Sequence, residues 1–319
     1  MLNPSPGLRR ALLATASTAL LALLAPQPGT AVPLAGDAAP SAAAARVAPA
    51  DTADPPVLVG AGDIGSCQSD GDEYTAKLLD RIPGTVFTLG DNAYVAGTAE
   101  QFQRCYEPYW GRHKDRTRPV IGNHDMRTDS GGPYYDYFGE AAGEKGKGWY
   151  SYQLGGWQVV VLNSTCDLVD CEEDSEQAEW LREELDGSDA KCTVAMWHHP
   201  LFSSGWKHDA DPRVKPFFEI LHDHGVEIVL NGHNHNYERF APQTPDGELD
   251  RERGVRQFTV GTGGGGLNGF SKDIAANSRV RNADTFGVLK LTLHPDFYVW
   301  KFVGQPGSTF TDTGVTACH

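Results

Sequence analysis

The chain has 319 residues, enough for one large domain with a buried core or for two small ones. Its 42 acidic and 27 basic side chains leave a formal net charge of -15. That excess argues against a surface that tracks nucleic-acid phosphates, and an anionic ligand would depend on local cations in a cleft.

In chain order, Arg9 and Arg10 precede an apolar stretch, residues 11–25, that is too short for a comfortable membrane span. Residues 1–31 therefore read as an export signal ending at Gly29-Thr30-Ala31, with Ala48-Pro49-Ala50 as an alternative end near residue 50. The arginine pair also admits a twin-arginine route. Residues 32–56 are rich in Ala and Pro without periodicity, a disordered linker, and the remainder, 57–319, reads as one domain. The expected product is a secreted protein with no stable membrane insertion once the signal is removed.

Past residue 56, short apolar runs at 57–61, 86–89, 119–121, 159–163, 193–197 and 226–231 predict buried strands. Helices are predicted over 74–81, 99–109, 176–185 and 214–223. The third is the clearest, with Ser175 as its N-cap, Ala178, Leu181 and Leu185 on one face, and Gly187 at its end. From residue 257 onward only strands are predicted, at 257–261, 287–294 and 297–303. The pattern is an α/β alternation with an antiparallel end.

Six cysteines suit an oxidising compartment, and none lies in a CxxC pattern. Cys166 and Cys171 are close enough to staple their own loop. Cys67 with Cys105 and Cys192 with Cys318 is one choice among fifteen pairings.

Five motifs carry the chemistry: Gly62-Asp63-Ile64-Gly65, Gly90-Asp91-Asn92-Ala93-Tyr94, Gly122-Asn123-His124-Asp125, His198-His199-Pro200 and Gly232-His233-Asn234-His235. Four begin where a predicted strand stops, and His198 follows the end of another. Open α/β sheets gather ligands at the carboxyl ends of their strands, so these loops are expected to share one cleft. Glycines 62, 90, 122 and 232 suit sharp exits from the strands. Asp, Asn and His are donors for borderline-hard ions such as zinc, manganese and iron, and a carboxylate shared by two ions suits displacement at phosphorus. Asp and Asn after a strand are also common turn formers, so the weight lies in all five motifs occurring together.

In that order the motifs resemble those of the calcineurin-like metallophosphoesterases, and within them the purple acid phosphatases, over residues 57–303. The resemblance implies a four-layer α/β/β/α sandwich with two mixed sheets. Many members read Gly-Asp-x-His in the first motif; here position 65 is Gly, and Tyr94 stands three residues after Asp91, as in the purple acid phosphatases. A phenolate favours a trivalent ion. The resemblance thus implies Fe(III) on Asp63, Asp91, Tyr94 and His235. A divalent ion (Zn, Mn or Fe) would lie on Asp91, Asn123, His198 and His233, with Asp91 the bridge. His124 matches the family's acid–base histidine, with Asp125 either its orienting partner or a turn carboxylate, and His208 matches a substrate-facing histidine. Adjacent residues on an extended chain point to opposite sides, so His199 belongs to the frame.

The activity implied is hydrolysis of small phosphate monoesters, a metal-activated water attacking in line, with His124 and His208 the catalytic side chains. A phosphodiesterase or nucleotide hydrolase on the same centre is the nearest alternative, and a non-catalytic metal- or partner-binding protein the alternative of another class. Residues 261–266 are glycine-rich, but no Gly-Lys-Ser/Thr follows, so they read as a turn lining the cleft rather than a phosphate loop. His222 and His224, two apart on a helix, face different sides and read as surface residues.

Overall fold

A computed structural model describes residues 54–319. The export signal and almost all of the predicted linker lie outside the described residues. Pro56 already belongs to the folded body, since its carbonyl accepts from Leu293 N–H at 2.9 Å.

The first half supplies β1 (Val57–Ala61), α1 (Gly71–Leu79), β2 (Thr85–Thr88), the one-turn α2 (Ala99–Gln101), β3 (Thr117–Arg118), α3 (Gly132–Phe138), β4 (Tyr150–Leu154) and β5 (Trp157–Val161). Then follow α4 (Glu176–Asp186), β6 (Cys192–Met196), α5 (Lys215–Asp223), β7 (Ile228–Asn231), β8 (Tyr237–Phe240) and β9 (Arg256–Val260). The end is all strand: β10 (Ser278–Asn282), β11 (Gly287–Leu293), β12 (Phe297–Gly304) and β13 (Thr313–Ala317).

These strands form two sheets, ordered β13-β12-β11-β1-β2-β3 and β10-β8-β9-β7-β6-β5-β4. Both are mixed: β1, β2 and β3 run parallel, as do β5, β6, β7 and β9, while antiparallel strands flank them. The period of two sorts their side chains into layers. Val159, Val161, Val194, Met196, Ile228 and Leu230 join the core shared with Leu58, Val86 and Leu291 of the other sheet. Their neighbours Val160, Ala195 and Val229 face the other way, against Ala178, Leu181 and Leu185 of α4 and Phe217, Phe218 and Leu221 of α5. Strands buried on both faces read as continuous apolar runs, which is why the sequence marks them so clearly. The α/β/β/α sandwich with two mixed sheets is the expected one.

Two predicted elements move. The strand expected at 119–121 is replaced by the two residues before it, Thr117–Arg118 of β3, because Pro119 offers no N–H to a ladder. The helix expected over 99–109 is a capped single turn followed by a wider turn, Phe102–Tyr106, in which Glu107 N–H reaches Phe102 O at 2.8 Å. The cysteines pair Cys67–Cys105, Cys166–Cys171 and Cys192–Cys318.

Candidate metal centre

The carboxyl ends of β1 and β2, neighbours in one sheet, and of β6 and β7, neighbours in the other, lie at one shared edge. Asp63 leaves β1, Asp91 leaves β2, His198 leaves β6 and His233 leaves β7. Asn123 arrives along the extended stretch after β3, where Val120 N–H is held by Thr88 Oγ1 at 3.1 Å.

The five loops are tied to one another by their own site residues. Asp63 Oδ2 accepts from His233 N–H at 2.9 Å, and Asp91 Oδ1 accepts from His124 N–H at 2.7 Å. Each carboxylate therefore uses one oxygen to hold another motif. The other oxygens converge on Tyr94, whose Oη lies 2.8 Å from Asp63 Oδ1, 3.1 Å from Asp91 Oδ2 and 3.0 Å from His235 Nε2. On the far side of Asp91, His198 Nε2 lies 3.4 Å from Oδ1, 3.0 Å from Asn123 Oδ1 and 3.2 Å from His233 Nδ1. His198 Nδ1–H donates to the Leu89 carbonyl at 2.7 Å, which turns Nε2 inward. All seven predicted ligands are thus brought together, in two groups that share Asp91. Asp63, Asp91, Tyr94, His198 and His235 are buried, whereas Asn123 and His233 are half-exposed, so the centre opens on their side.

Such a cluster is costly without a cation. Burial pushes the Asp63 carboxyl up to about 7, reinforced by Asp91 and opposed by His198. Burial acts on Asp91 in the same direction, but His198 and His124 outweigh it and hold it well below the usual carboxylate range. His198 is raised to about 9: burial opposes its charge, and the Asp91 and Asp63 carboxylates override burial. Burial lowers His235 to about 4 and depresses His233 further. Burial and the two carboxylates keep the Tyr94 phenol well above its ordinary value. Two carboxylates, a phenol, an amide oxygen and three imidazoles turned inward form an oxygen- and nitrogen-rich donor set, which fits borderline-hard ions.

The glycines serve the site differently from the expectation. Of positions 62, 90, 122 and 232, only Gly90 has a left-handed backbone, with φ 83°. The others are glycine for space: a Cβ at 122 would strike Asp91, and one at 232 would strike Leu89 O. Positive φ falls instead on Asp63 (60°), Asp91 (51°) and His233 (67°). Strain of this kind, about 1–3 kcal/mol per residue, persists where the surroundings over-determine the conformation, as the cross-motif bonds do here. The glycine-rich turn lines the cleft as expected: Gly265 N–H donates to Asp63 O at 2.7 Å, and a Cβ there would meet the Tyr94 ring.

His124 stands beside the centre, its ring 4.6 Å from that of Tyr94 and its Nε2 3.8 Å from Asp91 Oδ2. Its orienting partner is not Asp125. His124 Nδ1–H donates to the Val95 carbonyl at 2.6 Å. Asp125 is buried and accepts from Asn92 N–H at 3.0 Å, Asn92 Nδ2 at 2.9 Å and Gly122 N–H at 3.0 Å. It is the turn carboxylate of the two alternatives, and it laces the second and third motifs together. His208 reaches the open side, its ring 4.5 Å from His233 and 6.1 Å from His235. His199 Nδ1 lies 2.9 Å from Ser164 Oγ, but its ring stays at the centre, 4.4 Å from that of His233. With His198 and His233 it forms a group of nitrogens all within 4.8 Å of one another. His222 is half-buried and His224 exposed, both remote from the centre on α5 and its C-cap. The carbonyls of Leu89 and Val95, which fix two imidazoles, had no signal in the sequence, since any residue supplies a carbonyl.

Comparison with known proteins agrees with this fold. The chain is 27% identical over 239 residues to purple acid phosphatase 15 of Arabidopsis thaliana, covering 64% of this chain and 44% of that one. It is 28% identical over 249 residues to purple acid phosphatase 18 of the same plant, covering 71% and 54%. The chain thus spans about half the length of the curated relatives it matches. Among solved structures, purple acid phosphatase PPD1 from yellow lupin (Lupinus luteus) superposes with TM-score 0.66 at 19% identity, covering 82% of this chain and 53% of that one. GAP50, the anchor in the inner membrane complex of Plasmodium, superposes with TM-score 0.63 at 16% identity, covering 84% and 90%. Residues 57–237, more than half of the sequence, match the family model for calcineurin-like phosphoesterases. The chain belongs to the calcineurin-like phosphoesterase family, and the purple acid phosphatases are its relatives there.

Proposed function

We propose that this protein is an exported, metal-dependent hydrolase of small phosphate monoesters. One observation carries the proposal: seven oxygen and nitrogen donors from five motifs meet in two groups that share Asp91. In this assignment Asp63, Asp91, Tyr94 and His235 hold Fe(III), and Asp91, Asn123, His198 and His233 hold a divalent ion, Zn, Mn or Fe. When bound, such a pair supplies Lewis acidity and activates water for in-line attack at phosphorus.

The remaining steps belong to side chains. His124 keeps its Nδ1 proton on Val95 O, so Nε2 is the atom that faces the reacting centre. Burial lowers its affinity for a proton and outweighs the opposing pull of Asp91, so the imidazole gives up its proton more readily than an ordinary histidine. It is placed to hand that proton to the departing alkoxide or to steady charge on the phosphoryl oxygens. His208, on the open side against His233, is placed to meet the substrate's leaving oxygen. Export is supported by the three disulfides, which suit an oxidising compartment. Among the described residues no helix is long and apolar enough to cross a membrane.

The test is direct. Purified protein is assayed with nitrophenyl phosphate and with the bis-nitrophenyl ester, before and after chelation, alongside elemental analysis. Monoester turnover that chelation abolishes and metal restores is the expected result. Faster turnover of the diester moves the protein to the phosphodiesterases. A metal-replete protein that cleaves neither is a binding protein, although all seven ligands are retained.

A further inference from the structure

The interior of the centre is polar, yet two of the exposed large apolar side chains among the described residues stand within two positions in the chain of residues at the centre. Val95, 54% exposed, follows Tyr94, and Trp206, 61% exposed, stands two residues before His208. A single exposed apolar side chain means little on its own. Trp206 differs in what holds it and in where it stands.

Its loop is pinned on both sides. Ser204 N–H donates to Glu238 Oε2 at 2.9 Å, Ser271 N–H to Ser204 O at 2.8 Å, and Trp206 N–H to Gly269 O at 3.3 Å. Gly205 has no room for a side chain, since a Cβ would strike Asn234 of the fifth motif. The indole is therefore presented by a fixed backbone, not left out by a slack one. Gly269 lies against one flank of the indole, where a Cβ would sit at ordinary contact distance, 3.5 Å from Cδ1 and 3.7 Å from Nε1, and the ring is otherwise largely open to solvent. The same loop then sets His208 against His233, on the half-exposed side of the centre. Between them Lys207 is exposed, and its charge is felt at both His208 and His235.

We propose that Trp206 is a specificity-determining residue, a stacking platform that selects phosphate esters whose leaving group carries a planar aromatic ring. The inference rests on the phosphatase function proposed above and names its substrate class. The phosphoryl group occupies the polar centre, Lys207 offsets the anion near the rim, and the ring beyond the ester oxygen lies on the indole. Rings pair with indole in offset or edge-to-face geometry, so the selection is for aromatic shape and not for one compound.

The experiment compares phenethyl phosphate with ethyl phosphate. Both leaving groups are primary alkoxides of similar basicity, so their ratio of kcat/KM reports the ring and not the bond broken. The wild-type ratio is expected to favour the ring by about tenfold, and Trp206→Ala to erase most of that factor, chiefly through KM. Trp206→Phe is expected to keep part of the preference, which a fold defect would not. An unchanged ratio in Trp206→Ala overturns the proposal, as does an equal loss on both esters. Calorimetric binding of phenethylphosphonate and ethylphosphonate to the metal-replete protein separates the two layers of inference. If neither ester is hydrolysed, the phosphatase function fails, and a ring preference in phosphonate binding that Trp206→Ala removes leaves the platform standing. Equal binding of the two phosphonates by the wild type overturns it.

Discussion

Tyr94→Phe separates the two jobs assigned to one oxygen. The substitution keeps the ring, which packs 4.6 Å from His124 and 5.7 Å from His235 and against Gly265. It removes only Oη, which has a single proton and lies nearest to Asp63 Oδ1, at 2.8 Å. A hydrogen bond to an ionised partner contributes about 1.5–3 kcal/mol. The chelated variant should therefore lose about 2 kcal/mol, or about 3–4 °C in Tm for a domain of this size. The loss should depend on pH. Asp63 has a folded value of about 7 against an ordinary 3.8, so its ionised form weighs against the fold as pH rises through that interval. The Tyr94 bond offsets part of that penalty, and only where Asp63 is ionised. Urea unfolding in chelator should thus show a larger gap between wild type and variant at pH 8 than at pH 5. A gap of equal size at both values would refute the argument. In the metal-loaded protein, a phenolate-to-iron band in the visible spectrum should vanish with Tyr94→Phe. A colourless, iron-free but active wild type would remove the ferric assignment and leave a Zn or Mn phosphoesterase.

Three further outcomes follow from the same geometry. Asp91→Asn, which alters the carboxylate shared by both donor groups, should lose bound metal and turnover together, read by elemental analysis beside an activity assay. His124→Ala should keep its metal while kcat falls by about 10²–10⁴, the usual worth of a positioned acid or base, and full activity in a metal-replete variant would end its assigned role. Asp72, at the start of α1, is buried with one carboxylate oxygen unpartnered, and burial pushes its carboxyl up to about 7. Its contribution to stability should decline as pH rises from about 4 to 7, so Asp72→Asn should flatten that decline by roughly 2–4 kcal/mol in urea titrations.

The sequence was most legible where physics repeats itself along the chain. Strands buried on both faces stand out as apolar runs, and the five motifs follow their ends, so the strands and the loops that carry the donors could be read together. The two-sheet layering and the division of seven ligands came with the family resemblance. Elements that depend on distant partners were harder. β8 has only four residues, Tyr237–Phe240, wedged between the fifth motif and a loop, and it exists because β9 and β10 pair with it. α3 opens with Gly132 and Pro133 and is rich in aromatic residues, a weak helix signal that tertiary packing overrides. Adjacency in sequence left Asp125 open between orienting His124 and holding a turn. In the fold the two side chains diverge, one inward to the amides of Asn92 and Gly122 and one outward to the Val95 carbonyl. The positive φ angles expected of glycines sit on Asp63, Asp91 and His233, where the side chain's bonds, and not its absence, determine the backbone.

Where the family resemblance would place a histidine in the first motif, the packing of this chain leaves room only for Gly65. Gly65 pairs with Ala93 in a short parallel bridge: Gly65 N–H donates to Asn92 O at 2.9 Å, and Tyr94 N–H donates to Gly65 O at 2.8 Å. That bridge draws the first and second motifs so close that a Cβ at 65 would lie 2.8 Å from Asn92 O and 3.1 Å from Tyr106 Cα. A histidine at 65 would have to force the two loops apart. The same contact that closes position 65 to a side chain carries Tyr94 to the centre, and Gly265 leaves room for its ring. Gly65, Tyr94 and Gly265 are therefore one structural unit. Restoring a histidine at 65 without opening that bridge would disrupt the loop that presents Tyr94, so the phenol and the glycine are expected to change only together.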